Sequence, residues 1–233
     1  MKPNCWVPMK NKVLAYIILL AMSYLTITYY YDFLTNFKAQ GVYYCIRPIN
    51  TSLSQGSFDT EVIEMLRGEP AYSQMAISYA YREEVTIQGM GKEKKAIAIQ
   101  TNSDYKVVYG LAMQTGNFFN ESNCNSKSVV LNENLAFQLF GDSHIIGEEV
   151  KVNGRRFKIL GIAKEQYKNE GAIVYIRDSV EEEKESVYVK EIGIYSYINQ
   201  RLVNREKMEQ ILQKLDKVKD EYRIIERAPL FNG

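Results

Sequence analysis

The chemistry open to this chain is limited by its single histidine. His144 is the only histidine among 233 residues, and it directly follows Asp142 and Ser143. A serine hydrolase needs a histidine that takes the proton of the serine hydroxyl and a carboxylate that orients the imidazole. Three adjacent residues would have to fold back on one another to reach that geometry, so the sequence argues against a catalytic triad.

Three other patterns have the residue types of a functional site without its spacing. Gly89-Met90-Gly91-Lys92 superficially suggests a nucleotide loop, but the helix that should follow is missing, and we interpret it as a hairpin turn. The neighbours Glu83–Glu84 and Glu148–Glu149 point to opposite faces of strands and form no acid/base pair. The run Glu181–Glu185 is typical of a solvated loop or helix start. We therefore expect no catalytic, cofactor-binding or metal-binding residue, and no enzyme.

The elements that would position any site are clearest between Ser103 and Glu165. Lys127–Leu131 is a valine-rich run that predicts a buried strand, and Asn132 follows it as the cap of a helix. Gly141 ends that helix where a left-handed residue is expected. The helix is short and has one apolar face, formed by Leu135, Ala136, Leu139 and Phe140.

A hairpin is predicted directly after this helix. Its strands are Glu148–Val152 and Phe157–Ile162, and Asn153-Gly154 between them suits a type I′ turn. Gly147 and Gly161 stand at the edges of this unit as further structural positions.

The rest of the chain predicts strands around two more helices. One helix runs from Ser57 to Gly68, capped by Ser57 or Asp59, and a last helix lies near the end of the chain. The last helix has an apolar stripe of period 3.6, formed by Met208, Ile211, Leu212, Leu215 and Val218. Further strands are expected at Gly41–Ile46, Ala71–Tyr81, Glu83–Gln88, Ala96–Gln100, Ala172–Ile176 and Val187–Tyr197. We expect an α+β fold with two strand-rich lobes on either side of the loop at 120–127.

An apolar run near the N-terminus predicts a membrane anchor. Val13–Tyr31 has no charge, proline or glycine, and Lys2, Lys10 and Lys12 precede it. By the positive-inside rule, we expect 1–12 in the cytoplasm, 13–31 as a transmembrane helix in contact with membrane lipid, and 32–233 outside. A cleaved signal peptide and a buried core helix are the alternatives. The poor cleavage site at Phe37–Gln40 and the lack of a polar face argue against them.

This topology separates the three cysteines. Cys5 would be cytoplasmic, whereas Cys45 and Cys124 would both be outside, either joined by a disulfide or as two small apolar residues. No Cys-x-x-Cys pair is present, which argues against a zinc site. The net charge of +1 gives no polyanion-binding signature, so nucleic acid is not expected as a partner.

The order of these elements resembles the extracytoplasmic core domain of MacB-type ABC transporter permeases, in the FtsX-like permease superfamily. The resemblance lies in the strand, the capped helix, "LFG" and "IGEEVKVNGRRFKILGIAKE". It includes the preceding "YGLAMQTGNFFNE", where Gly110, Gly116 and Phe118–Phe119 stand at family positions. Asn117 stands where the family usually has arginine. Weaker similarity covers Thr60–Gly68 as the first helix of the domain and Asn204–Tyr222 as its last.

The resemblance implies a role in transport. Such proteins pair with a cytoplasmic ATPase and export or release peptides, lipids, lipoproteins or drugs, so an ABC ATPase subunit and a multi-span permease are the expected partners. A homo-oligomer is also compatible with it. A complete permease continues into three more spans, whereas this sequence stops at Gly233, which suggests a split, truncated or single-span form. The alternative is a membrane-anchored binding or sensor module that works without a transporter.

Overall fold

The computed structural model describes residues 16, 18–29, 41–49, 58–120, 127–142, 144–165, 171–177, 187–197, 200–217 and 219–227. The chain divides into two compact units, Met1–Gln40 and Gly41–Gly233.

The first unit contains helix α1, described at residues 16 and 18–29. The hydroxyl groups of Ser23, Thr26 and Thr28 each donate to a backbone carbonyl about one turn earlier. None of the helices in the described part of the chain combines the length and the apolar composition that crossing a membrane requires. The transmembrane helix expected at 13–31 stays a prediction, and both its ends lie outside the described residues.

The second unit is a mixed α+β structure built on two main sheets. The smaller sheet is antiparallel, with the strand order β13-β1-β12-β3. Its strands are β1 (Val42–Pro48), β3 (Met75–Tyr79), β12 (Ile192–Ser196) and β13 (Tyr222–Arg227). Helices α2 (Thr60–Arg67) and α5 (Arg201–Lys214) supply apolar side chains to one core with this sheet, among them Ile63, Leu66, Met208 and Ile211. A short ladder of β2 (Phe58–Asp59) and β11 (Tyr188–Val189) is formed next to α2.

The larger sheet closes on itself. Its order is β6-β9-β7-β10-β5-β4-β8, and β8 also pairs with β9, so six strands form a ring to which β6 is added. Its strands are β4 (Tyr81–Gly89), β5 (Lys92–Thr101), β6 (Met113–Gly116), β7 (Ser128–Asn132), β8 (Glu149–Val152), β9 (Arg155–Ala163) and β10 (Ile173–Arg177). Helix α4 (Glu133–Phe140) packs into the core of the ring through Leu135, Ala136 and Leu139. The division into lobes on either side of 120–127 was wrong. The larger sheet takes β4, β5 and β6 from before that segment and β7 to β10 from after it, and the smaller sheet likewise combines strands from both sides.

Asn132 holds the start of α4. Its Oδ1 accepts from the backbone N–H groups of Leu135 at 3.1 Å and Ile173 at 3.0 Å, and its Nδ2 donates to the Gly171 carbonyl at 2.7 Å. One buried side chain therefore caps the helix and ties it to β10. Gly141 ends the helix in the left-handed region at φ +73°.

The turn between β8 and β9 has the geometry of a type I′ hairpin. Asn153 has φ +48° and Gly154 has φ +81°. Asn153 also extends the ladder towards β4, because its Oδ1 accepts from the Thr86 N–H at 2.9 Å and its own N–H donates to the Thr86 carbonyl at 2.9 Å.

Three expectations about elements were wrong. The strand predicted at Ala71–Tyr81 begins with a 3₁₀ turn, Pro70–Tyr72, in which Tyr72 is buried beneath the Lys214 ammonium. The hairpin turn predicted at Gly89–Lys92 is limited to Met90 and Gly91, and the strand predicted from Ala96 already starts at Lys92.

The last helix ends eight residues before Tyr222, the predicted end. Leu215 caps α5, and Asp216 then takes a positive φ of +54°, which breaks the helix. Tyr222–Arg227 instead forms β13, an edge strand against β1. Met208, Ile211, Leu212 and Leu215 are buried as the apolar stripe predicts, whereas Val218 lies outside the described residues.

Candidate functional site

A four-residue helix that the sequence did not predict connects the two sheets. Helix α3 (Tyr105–Val108) follows the end of β5 and packs on β3 and β12 of the smaller sheet. Tyr105 lies in an apolar cluster on the larger sheet, whereas Val108 lies in a cluster with Tyr43, Cys45 and Ala76 of the smaller sheet. We call α3 and the three residues before it, 102–104, the joint.

An ion pair fixes the start of the joint. The Arg67 guanidinium, at the end of α2, donates through Nε to Asp104 Oδ2 at 2.7 Å and through Nη2 to Asp104 Oδ1 at 3.2 Å. Arg67 also donates to Glu64 Oε2 at 2.9 Å and to Ser103 Oγ at 2.6 Å. The Arg67 and Asp104 side chains are only 17% and 22% exposed. Because two parallel hydrogen bonds join the guanidinium to the carboxylate, they fix both the distance between the two groups and their relative orientation.

The pKa of the Arg67 guanidinium reflects this setting. Burial by itself lowers the pKa, but the hydrogen bond and the charge of Asp104, aided by Glu64, outweigh burial and raise it above its ordinary value. Arg67 therefore stays charged at every physiological pH.

The joint also completes the edge of β3 with side chains. Asp104 Oδ2 accepts from the Ile77 N–H at 3.1 Å, and Asn102 Nδ2 donates to the Ile77 carbonyl at 3.0 Å. These are the two bonds that a neighbouring strand would make to Ile77. Asn102 Nδ2 further donates to Glu64 Oε1 at 2.7 Å. Helix α2, strand β3 and the end of β5 are thus tied in one polar network.

A series of aromatic rings continues the connection through the joint. The ring centroids of Tyr43 and Tyr109 are 6.2 Å apart, those of Tyr109 and Tyr105 are 4.4 Å apart and stacked, and those of Tyr105 and Tyr175 are 5.7 Å apart. The series runs from β1 of the smaller sheet to β10 of the larger one. Burial raises the pKa of the Tyr109 phenol well above its ordinary value, so that side chain remains neutral.

Gly193 allows α3 to approach the smaller sheet. A Cβ atom at this position in β12 would lie 2.6 Å from Val108 Cγ1 and 3.0 Å from the Tyr109 hydroxyl. Both distances are shorter than an ordinary van der Waals contact of 3.4–4 Å, so Val108 and Tyr109 would have to shift. The absence of a side chain at Gly193 is therefore a condition for the joint.

The residues singled out from the sequence fall into two groups. Gly116, Phe118, Phe119 and Gly161 lie beside the joint: both phenylalanines are buried with Tyr105, and Gly116 and Gly161 allow β6 to pass close to β9. The other group lies in the ring, around α4 and the β8–β9 hairpin, and consists of Asn132, Gly141, Gly147, Asn153 and Gly154.

Sequence reasoning missed Asn102 and Asp104 of the joint, and it missed the residues around the joint, namely Arg67, Tyr109 and Gly193. The available signal was weak: an arginine in the last turn of a helix, and an Asn-Ser-Asp stretch before a tyrosine. Neither pattern indicates that residues 37 positions apart form a salt bridge.

The weaker chemical candidates lie elsewhere. The His144 side chain is 91% exposed, and its Nδ1 is 3.0 Å from Asp142 Oδ1, while Ser143 lies outside the described residues. Cys45 is fully buried in β1. Cys5, Cys124 and the run 181–185 lie outside the described residues, so the disulfide stays a prediction.

Comparisons with known proteins agree with this fold. The family model described as "MacB-like periplasmic core domain" matches residues 13–218. The periplasmic region of MacB from Actinobacillus actinomycetemcomitans has a similar structure, with a TM-score of 0.62 and 17% identity over 78% of this chain and 87% of that one. The extracellular domain of the noncanonic ABC-type transporter YknZ from Gram-positive bacteria gives a TM-score of 0.58 and 16% identity over 79% and 99%.

No curated protein sequence gives a significant match. Identities below one fifth establish a shared fold and no more, whereas the family model spans most of the chain. The chain therefore belongs to the MacB-like periplasmic core domains, the extracytoplasmic domains of a family of ABC transporter permeases.

Proposed function

We propose that this chain couples a cytoplasmic ATPase to the export or release of a peptide, lipid or drug, as the extracytoplasmic part of an ABC transporter permease. Family membership supports the transport role. The joint supports the coupling role, because coupling requires that a displacement of one sheet reach the other. The two sheets are connected by polar contacts through Arg67 and Asp104 and by apolar contacts through the series of aromatic side chains.

We further infer that residues 13–31 anchor the chain, with 1–12 in the cytoplasm and 32–233 outside. Cysteine labelling tests this topology. Lys190 is exposed between β11 and β12, whereas Cys45 is buried. In a chain carrying Cys124→Ser and Lys190→Cys, a membrane-impermeant maleimide should label residue 190 in intact cells and Cys5 only after lysis. Labelling of Cys5 first would reverse the orientation.

The experiment that tests the function is an affinity purification of the tagged full-length chain from gently solubilised native membranes. Mass spectrometry of the bound proteins should identify an ABC ATPase together with a multi-span permease. The purified assembly should hydrolyse ATP, and the rate should change when the chain is removed. Recovery of envelope or signalling proteins without any ATPase would reject the transporter role and would favour an anchored binding or sensor module.

A further inference from the structure

The two hairpins of the ring concentrate positive charge in a chain that is nearly neutral. The segments 92–95 and 148–158 contain seven lysine and arginine residues and three glutamates, and all ten side chains are exposed. The whole chain has a net charge of only +1. The positive charge is therefore local, and it lies on neighbouring strands, since β4 pairs with both β5 and β8 and β8 pairs with β9.

Two of these cations are held directly opposite each other. The register of the β8–β9 hairpin places Lys151 across from Arg156, and that of β4–β8 places Gln88 across from Lys151. Like charges in directly opposed positions destabilise a sheet. Within the described part of the chain, neither Lys151 nor Arg156 makes an ion pair. An anion from outside would offset this repulsion.

A groove of about 570 Å³ lies at this place. Lys92, Lys151 and Arg156 line it together with Gln88 and Gly89 at the end of β4 and with Met90 of the turn that follows. Two glutamates also line it. Glu93 accepts a hydrogen bond from Gln88 Nε2 at 2.6 Å, and Glu149 is paired in register with Lys158 of β9. Three cations and two glutamates therefore line this concave surface, which leaves an excess of one positive charge. Among the described residues, none of the three cations makes an ion pair.

We propose that this groove binds an acidic peptide segment of a protein partner. Its volume suits a short chain, and a concave surface between two hairpins does not match a flat membrane. A nucleic acid has a phosphate on every nucleotide and would place some of them beside Glu93 and Glu149. An acidic peptide can instead place uncharged residues beside the two glutamates and its carboxylates beside the cations. The inference does not depend on the proposed transport function, since it concerns only the charge of the bound segment.

Calorimetric titration with a hexaglutamate peptide tests the site. The full-length chain in an uncharged detergent should bind hexaglutamate and not hexaglutamine at 50 mM salt. The double variant Lys151→Glu, Arg156→Glu should bind at least tenfold more weakly. The matched control Lys190→Glu, which reverses an exposed charge between β11 and β12, should stay within twofold of the parent. Raising the salt to 300 mM should weaken binding in the unaltered chain, because exposed charges are then screened.

Two further measurements keep the outcomes distinct. The neutral variant Lys151→Gln, Arg156→Gln should also bind hexaglutamate more weakly. If its circular dichroism spectrum and melting temperature match those of the parent, the weaker binding reflects the lost charges and not a lost fold. Titration with soluble dihexanoyl-phosphatidylglycerol tests an anionic lipid at the same groove. No binding of hexaglutamate, binding that survives charge reversal, or binding of the lipid alone would each overturn the proposal.

Discussion

The salt bridge between Arg67 and Asp104 gives the sharpest prediction for the joint, through the substitution Asp104→Ala. This change removes the acceptor of the two hydrogen bonds that Arg67 donates to Asp104, and also the acceptor of the Ile77 N–H. Breaking a buried ion pair by removing one partner costs about 3–5 kcal/mol. Arg67 retains Glu64 at 2.9 Å, and both side chains are partly exposed, so we expect the lower end, about 3 kcal/mol.

This loss should be visible as a lower melting temperature. For a unit the size of Gly41–Gly233, 1 kcal/mol corresponds to about 2–4 °C, so Asp104→Ala should melt about 6–12 °C below the parent. Asp104→Asn keeps one oxygen, which at the position of Oδ2 can accept from both the Ile77 N–H and Arg67 Nε, and it loses only the acceptor for Arg67 Nη2 and the charge. It should therefore lose less than half as much. Calorimetry should also show a broader transition, because the two sheets lose part of their connection and unfold less cooperatively.

The control is Glu206→Ala, which removes an exposed carboxylate from α5 and should leave the melting temperature within about 1 °C. A double-mutant cycle with Arg67→Met isolates the pair from the loss of each side chain alone. A decrease below about 2 °C for Asp104→Ala, or equal decreases for the alanine and asparagine variants, would refute the reasoning, since the ion pair would then be screened by solvent.

Three further substitutions test other contacts through the same melting measurement, with Gly171→Ala as the shared control, because open space surrounds Gly171. Gly193→Ala should destabilise by about 1–3 kcal/mol, since its Cβ would lie 2.6 Å from Val108 Cγ1; no change would mean that α3 can move away freely. Gly154→Val should destabilise by about 1–2 kcal/mol because φ is +81° there, and a parent-like melting temperature would disprove the turn. Asn132→Ala should cost at least ~2 kcal/mol, since it removes a helix cap and the acceptor of the Ile173 N–H, and a smaller loss would show that water replaces the amide.

The elements that could be predicted from the sequence are those whose signal is local. Asn132 and Gly141 flank a short apolar stripe, and Asn153-Gly154 lies between two alternating runs, so each pattern needs fewer than ten residues to be recognised. The capped helix and the hairpin therefore occur within a residue or two of their predicted bounds. Their order carried the family resemblance, because turns and caps recur wherever the same elements are joined.

The joint could not be predicted because its partners are far apart in sequence. Arg67 and Asp104 each have ordinary local surroundings, and their pairing depends on how α2 and the end of β5 meet. Gly193 resembles any strand glycine until α3 packs against it. Strand β13 was missed for a related reason. Its charged residues, Arg223, Glu226 and Arg227, are typical of a solvated tail, and only the register with β1 makes the segment a strand.

The joint lies at an edge strand of the smaller sheet, because the larger sheet is closed and the smaller one is not. The six-stranded ring has no open edge, because β8 pairs with β9 and closes the sheet. In the smaller sheet, β3 has its Ile77 edge completed by Asn102 and Asp104, which belong to the chain leaving the ring. Any displacement of one sheet relative to the other must therefore stretch this polar network or separate the Tyr105–Tyr109 stack. If the two sheets are to move as one body, this connection at the junction must hold.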